Sequence, residues 1–215
     1  MRYKAVLFDL DGTLINTAPG IIACAKQVMS DMGVPLPDDS IMHRFIGPPL
    51  PKCFEAVAGC DEETCQKCAK HYKKIFGKQH IEKFSLYEGI EALLDDLKAA
   101  GYKLAVATYK QVPAAYDSLN YFDLTRRFEA VEGSDLNSTF TKGEIIAHAM
   151  EKLGVTADEC IMIGDSPSDF TGADSNGCDF IAAKYGYGFL ESSEIPGVCV
   201  AENVEEIYAF LLNNK

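Results

Sequence analysis

Short apolar runs without polar alternation recur along the chain, and each of them ends at a polar turn. Residues 4–8, 103–107 and 160–163 are the clearest examples, and the third run ends at a Gly-Asp pair. Such a run is typical of a strand that is buried on both faces of a parallel sheet. Weaker runs of the same kind cover residues 129–131, 179–182 and 197–200. We therefore predict strands at all of these places, with the second strand ending at Thr108.

Between these runs, apolar residues recur at helical spacing. Residues 90–97 place Ile and Leu side chains on one helix face, and Gly101 follows as a stop signal. Residues 142–153 repeat this pattern and are followed by Gly154. Alternating strands and helices indicate an α/β fold with a doubly wound parallel sheet, a Rossmann-like core. In such sheets, ligands bind beyond the carboxyl ends of the strands.

Residues 16–84 interrupt this alternation. They contain no convincing strand pattern, and glycines and prolines divide them into short helical segments. We therefore predict an inserted all-helical cap domain over residues 16–84. The α/β core domain would comprise residues 1–15 and 85–215. An insertion directly after the first strand would act as a lid on the carboxyl edge of the sheet.

Charge limits the partners that this chain can bind. The 215 residues carry a formal net charge of -12. Such acidity disfavours nucleic acid and anionic membranes, whereas a small anionic substrate needs only local positive charge. No apolar run approaches the length of a membrane span, and the first residues lead directly into a strand pattern. We therefore predict a cytoplasmic protein without a membrane anchor, and the oligomeric state stays open.

The cysteines are expected to be reduced in that compartment. Cys60, Cys65, Cys68 and His71 have a spacing that also occurs in zinc sites. However, Cys65 and Cys68 lie on one apolar face of a predicted helix together with Tyr72. Because a reduced cysteine packs as a small hydrophobic residue, we favour packing over zinc binding. Whether this cluster binds anything is left open.

Polar residues follow the predicted strands at the edge where ligands are expected. Asp9 and Asp11 follow the first strand, Thr108 follows the second, and Asp165 follows the run 160–163. A carboxylate can attack phosphorus, and neighbouring carboxylates suit Mg²⁺, which prefers oxygen ligands. The run with Asp9 and Asp11 is on its own equally compatible with an acidic turn, and Thr108 or Asp165 alone would be interpreted as a cap. The ordered combination is what favours an active site.

This combination resembles the four motifs of the haloacid dehalogenase superfamily. The motifs are residues 9–13, Thr108, Lys142 and residues 165–169. The resemblance covers essentially the whole chain, and it implies a magnesium-dependent phosphatase that acts on a small phosphorylated metabolite. The helical insertion resembles the small cap of the phosphoglycolate phosphatase-like branch. Further segments that resemble this branch are residues 45–50, 133–136 and 185–188.

The resemblance implies a role for each motif residue. Asp9 would be the nucleophile and a metal ligand. Asp11 would protonate the leaving group, then activate water, and bind the metal through its backbone carbonyl. Thr108 would donate a hydrogen bond to a phosphoryl oxygen, and Lys142 would neutralise charge on the phosphoryl group. Asp165 would bind Mg²⁺ directly.

Other residues are candidates for supporting roles. Asp169 would lie outside the direct metal ligands or pair with Lys142. Tyr109 stands where the family usually has a small residue, so it could narrow the pocket. The weaker candidates for substrate binding are Gly12, Thr13, Tyr109, Lys110 and Arg44.

Two alternatives remain beside the phosphatase. The resemblance implies that an aspartate at the position of Asp11 marks phosphatases and phosphomutases rather than dehalogenases. Leu50 stands where the related β-phosphoglucomutases carry an arginine, which weighs against a phosphomutase. A low-turnover phosphate-binding regulatory module is the other alternative. A pure binder has no use for the acid Asp11, which weighs against this second alternative.

Overall fold

The structure is a computed structural model that describes residues 2–135, 139–190 and 194–213. Part of the segment 133–136 therefore lies outside the described residues. The strands are β1 (Ala5–Phe8), β2 (Ile15–Asn16), β3 (Ser85–Leu86), β4 (Lys103–Gln111), β5 (Ala130–Ser134), β6 (Cys160–Gly164), β7 (Asp179–Ala183) and β8 (Cys199–Ala201). The α-helices are α1 (Ala18–Met32), α2 (Leu50–Ala58), α3 (Glu62–Ile75), α4 (Lys78–Ile81), α5 (Ile90–Ala99), α6 (Val112–Tyr121), α7 (Lys142–Leu153), α8 (Pro167–Asn176) and α9 (Val204–Tyr208).

Shorter helical turns complete the secondary structure. They cover Asp39–Phe45, Thr125–Arg127 and Ala157–Glu159, and a π-helical turn covers Ala209–Asn213. Within the described part of the chain, no helix has the length and apolar character that a membrane span requires.

The chain divides into two compact units. The α/β unit comprises Met1–Ile15 and Leu86–Lys215, and the helical unit comprises Asn16–Ser85. The α/β unit contains a six-stranded sheet in the order β5-β4-β1-β6-β7-β8. Every neighbouring pair in this sheet is parallel. The predicted doubly wound α/β fold is therefore confirmed.

The central strand β1 places the first aspartates of the site. All of its side chains are fully buried, because it pairs with β4 on one side and β6 on the other. Phe8 stands opposite Ile163 in the register, and the Asp9 N–H continues the ladder by donating to the Ile163 carbonyl at 2.8 Å. Asp9 therefore begins its turn from a fixed backbone position beside the end of β6.

The end of β4 differs from the prediction. The strand does not end at Thr108 but continues to Gln111, and its pairing with β5 becomes irregular between these two residues. Glycine accommodates this irregularity, since a Cβ atom at Gly133 would overlap the carbonyl oxygen of Lys110. Thr108, opposite Gly133, is the last residue of the regular pairing.

Capping boxes fix the starts of the two helices that carry site residues. At α7, the Glu144 N–H donates to the Thr141 hydroxyl at 3.2 Å and the Thr141 N–H donates to the Glu144 carboxylate at 2.7 Å. Ser166 and Asp169 form the corresponding pair at α8, where Pro167 occupies the first turn. These local signals hold the first turn of each helix in place.

The helical unit has its own hydrophobic core. Val28, Met29 and Phe54 are fully buried, and the rings of Phe45 and Phe54 meet edge to face with centroids 5.0 Å apart. The short strands β2 and β3, which the sequence did not predict, form a two-stranded sheet at the two ends of this segment. The rest of the segment is built of helices and turns.

The cysteine cluster of the helical unit packs as predicted in part. Cys65, Cys68 and Tyr72 are buried on α3. The prediction of reduced thiols is wrong for Cys60 and Cys65, which are joined by a disulfide with Cα atoms 5.9 Å apart. The two residues flank the turn that starts α3, and this turn brings their Cα atoms within disulfide range.

The disulfide and a histidine contact leave zinc binding without support. The His71 imidazole pairs with the Asp31 carboxylate at 2.7 Å. Cys60 has its sulfur bonded to Cys65. Among the described residues, the group whose atoms are close enough to share a metal lies elsewhere, in the α/β unit.

Candidate active site

Three buried aspartates meet at the carboxyl edge of the six-stranded sheet. Asp9 follows β1, Asp165 follows β6, and Asp169 lies in the first turn of α8. One carboxylate oxygen from each lies within 4.8 Å of the other two. Mg²⁺ is bound by hard oxygen atoms of this kind, usually from one or two carboxylates together with substrate phosphate. The donor set therefore fits the metal that the sequence predicted.

Lys142, the first residue of α7, lies between two of these carboxylates. Its Nζ is 2.6 Å from Asp9 Oδ1 and 2.6 Å from Asp169 Oδ1. The other oxygen of Asp169 accepts from the Ser166 hydroxyl at 2.6 Å and from the Ser166 N–H at 3.0 Å. Both oxygens of Asp169 are therefore bound by the protein, and the lysine hydrogen-bonds Asp9 through Oδ1.

Asp165 is held by a glycine-rich segment after β7. Its Oδ2 accepts from the N–H groups of Tyr187 at 2.7 Å and Gly188 at 3.2 Å. Cβ atoms at Gly12 or Gly186 would overlap the side chain of Asp165. Glycine is therefore favoured at both places, because a larger residue would displace the Asp165 side chain. The sequence showed the segment 185–188 as a family resemblance but not as the support of a metal ligand.

Asp11 is not one of the three clustered aspartates, although its charge acts on Asp9. Its carboxylate binds Lys110, whose Nζ is 2.6 Å from Oδ1 and 2.9 Å from Oδ2. Each of these side chains is only 11% exposed. The structure thus brings Lys110, a weak candidate from the sequence, into direct contact with the predicted acid.

Tyr109 and Thr108 support their neighbours. The Tyr109 hydroxyl accepts from the backbone N–H of Lys142 at 3.1 Å, and its ring centroid lies 5.5 Å from Lys142 Nζ. An aromatic face at this distance attracts an ammonium group. The buried Thr108 hydroxyl accepts from the Lys110 N–H at 3.2 Å. The placement of Lys142 and Lys110 therefore depends on both residues.

The remaining candidates are placed less directly. Gly12 adopts a positive φ of 91°, which its turn beside Asp165 requires. Thr13 is fully buried, and its hydroxyl has no hydrogen-bond partner within the described residues. Arg44 lies in the helical unit and is exposed. Its role in substrate binding stays a prediction.

Burial makes the metal-free site unfavourable for negative charge. Burial raises the pKa of Asp9 to about 7, although Lys142 opposes this shift. Burial also raises the pKa of Asp165 well above its ordinary value, and the charges of Asp169 and Asp9 add to the effect. For Lys142, burial alone would lower the pKa, but Asp169 and Asp9 raise it above the ordinary value. The lysine is therefore a permanent cation of this site.

These shifts predict a pH-dependent stability of the metal-free protein. The pKa of Asp9 is raised from 3.8 to about 7 in the folded protein, so protonation of Asp9 stabilises the fold. This contribution is complete at pH values below 3.8 and is lost as the pH rises through 7. We expect the urea concentration at the midpoint of unfolding, measured in EDTA, to decrease from pH 5 to pH 8. Mg²⁺ should restore this midpoint at pH 8. Asp9→Asn should reduce this pH dependence. A wild-type midpoint that ignores both pH and Mg²⁺ would contradict the expectation.

The fold and the site together define a class of protein. The sheet presents a carboxylate beside a buried lysine, and further carboxylates lie close enough to bind a metal. Such a site is suited to binding a small anionic group. Residues 6–183 match the haloacid dehalogenase-like hydrolase family. The chain belongs to this family, and the predicted superfamily is confirmed.

Relatives with curated names carry several activities within this family. A 5'-nucleotidase of Pseudomonas aeruginosa is 37% identical, with 87% of this chain and 86% of the relative covered. The tyrosine-protein kinase PtkA of Mycobacterium tuberculosis is 31% identical over 95% of this chain and 71% of its own length. A phosphoglycolate phosphatase of Neisseria meningitidis is 31% identical, with 86% of this chain and 82% of the relative covered. The predicted branch and the enzyme class are thus supported by named relatives.

Solved structures agree with this assignment. A predicted phosphatase from Clostridium acetobutylicum is 35% identical and has a TM-score of 0.88, with 99% of this chain and 100% of that chain covered. The similarity in fold therefore extends over 99% of the chain.

Proposed function

We propose that the chain is a magnesium-dependent phosphatase. It hydrolyses a small phosphate monoester of the phosphoglycolate, sugar phosphate or nucleotide type through an aspartyl-phosphate on Asp9. The observation that carries this proposal is the position of Lys142, whose ammonium group binds Asp9 and Asp169 at 2.6 Å each. This geometry places a fixed cation beside the carboxylate that would receive the phosphoryl group.

The first step forms the covalent intermediate. An oxygen of Asp9 attacks phosphorus, the bond to the ester oxygen breaks, and Asp11 gives a proton to that oxygen. Lys142 and Thr108 hold the phosphoryl oxygens, because this reaction depends mainly on positioning and on compensation of charge. Mg²⁺, when bound by Asp9 and Asp165 and the Asp11 carbonyl, supplies further positive charge to these oxygens.

The second step restores the enzyme. Asp11, now deprotonated, takes a proton from a water molecule, and the oxygen of that water attacks phosphorus. The bond between phosphorus and Asp9 breaks, and inorganic phosphate leaves. Asp169 keeps Lys142 in place through both steps, since the Ser166 contacts fix its carboxylate.

The proposal extends to partners and compartment. The partner is a small phosphorylated metabolite, with no nucleic acid or membrane, and the compartment is the cytoplasm. The net charge of -12 supports this choice of partner. Disulfides are rare in a reducing compartment, so the Cys60–Cys65 disulfide argues against the cytoplasmic part of the proposal. Residues 16–84 are proposed to serve as the cap domain that selects among phosphate esters.

One experiment tests reaction and intermediate together. Phosphate release is measured for a panel of phosphorylated metabolites with Mg²⁺ and with EDTA, and quenched samples are treated with borohydride. An acyl phosphate on Asp9 is reduced to homoserine, which mass spectrometry locates in the peptide. We expect Mg²⁺-dependent release and homoserine at position 9. Release without any label at Asp9 would overturn the mechanism.

The same panel separates the alternatives. Bisphosphate-dependent isomerisation without net release would favour a phosphomutase. Transfer to a tyrosine-containing peptide without net release would favour the activity named for the mycobacterial relative. An absence of turnover across the whole panel would favour a regulatory phosphate-binding module.

A further inference from the structure

Lys110 is a second cation at the site, and the proposed hydrolysis gives it no task. Its Nζ contacts both oxygens of Asp11, at 2.6 and 2.9 Å. The side chain is only 11% exposed. A lysine so far removed from water needs a negative partner, since an unpaired buried charge is costly.

The backbone holds Lys110 in this position. Its N–H donates to the Thr108 hydroxyl at 3.2 Å, and its carbonyl oxygen packs against Gly133, where a Cβ atom would overlap it. Lys110 thus lies in the irregular end of β4, between the regular pair at Thr108 and the pair of Gln111 with Ser134. A surface lysine at the end of a strand has no such anchoring.

The contact with Asp11 conflicts with the task proposed for Asp11. The ammonium group lies in front of both carboxylate oxygens, so it competes with the ester oxygen of a substrate for the same position. The ammonium group must therefore move to another anion when the substrate binds. The phosphoryl group is already served by Lys142, which lies against Asp9 rather than Asp11.

We propose that Lys110 is a specificity-determining residue that binds an anionic substituent of the leaving group. The substituent is a carboxylate or a second phosphate close to the ester oxygen, because Lys110 lies beside the residue that contacts this oxygen. When the substrate binds, Lys110 exchanges Asp11 for this substituent. Asp11 then becomes available to the ester oxygen of the leaving group. The inference rests on the proposed function and deepens it by naming the substrate class.

Matched substrates test this inference. The ratio of kcat/KM is measured for phosphoglycolate against 2-hydroxyethyl phosphate, which differ by one carboxylate. It is also measured for ethylene glycol bisphosphate against 2-hydroxyethyl phosphate, which differ by one phosphate close to the ester oxygen. The wild type should prefer the anionic member of at least one pair by about tenfold or more, as expected for one charge-assisted hydrogen bond. The pair that shows the preference identifies the substituent.

Three variants make the result specific to Lys110. Lys110→Met should remove the preference, chiefly by raising KM for the anionic member, and Lys110→Arg should keep part of it. Lys152→Met, which removes an exposed lysine on α7, should keep the wild-type ratio. A wild type without preference in either pair would overturn the inference. Equal losses for both members in Lys110→Met would also overturn it, and would assign Lys110 to orienting Asp11. Homoserine trapping at Asp9 reports separately on the proposed function.

Discussion

Asp9→Asn should lower phosphate release by about three orders of magnitude or more, as loss of a covalent nucleophile typically does. The amide has no negative charge with which to attack phosphorus, and its nitrogen cannot bind a metal. Folding should survive, because asparagine has nearly the same volume and the buried site already disfavours a charge at this position. The measurement is phosphate release at saturating substrate, alongside a urea titration at pH 8.

An exposed aspartate provides the matched control. Asp174 lies on the solvent side of α8, so Asp174→Asn makes the same chemical change away from the aspartate cluster. It should retain wild-type turnover. If Asp9→Asn released phosphate at a rate close to that of the control, Asp9 would not be the nucleophile.

Lys142→Met should both stop turnover and destabilise the protein by about 3–5 kcal/mol, the usual cost of leaving a buried charge without its partner. Lys142 is 3% exposed, and its removal leaves the carboxylates of Asp9 and Asp169 facing each other without a cation. The loss should be smaller at pH 5 than at pH 8, since Asp9 can take up a proton when its pKa is raised. Urea titrations at the two pH values measure it.

A double variant distinguishes the two effects of this lysine. Lys142→Met combined with Asp169→Asn removes one of the stranded charges, so part of the stability should return while turnover stays absent. If Lys142→Met alone were as stable as the wild type, this result would contradict the pairing of Lys142 with Asp9 and Asp169. Recovery of turnover in the double variant would contradict a role for Lys142 in the chemistry.

The strands and the order of the site residues could be predicted because they depend on local patterns. The runs before Asp9 and Asp165 are apolar on both faces, so they had to be central strands, and their ends had to share one edge of a sheet. Lys142 was predictable by its place in the motif order. Pairing with Lys142 was one of the two roles that the sequence left open for Asp169.

Contacts between distant residues were beyond the sequence. The pair Lys110–Asp11 spans 99 positions, and the irregular end of β4 depends on Gly133 in the neighbouring strand. The hydrogen bond from the Lys142 N–H to the Tyr109 hydroxyl likewise joins residues 33 positions apart. No periodicity or local propensity encodes such pairings, because they arise only when strands and helices pack.

The glycines around Asp165 also bear on the entropy of metal binding. Gly12 and Gly186 pack closely against the Asp165 side chain, and two backbone N–H groups already hold one of its oxygens. A flexible carboxylate loses rotamer freedom when it binds an ion, but Asp165 has lost that freedom during folding. The site is therefore preorganised, and its affinity for a cation is set by charge and geometry rather than by the ordering of this ligand.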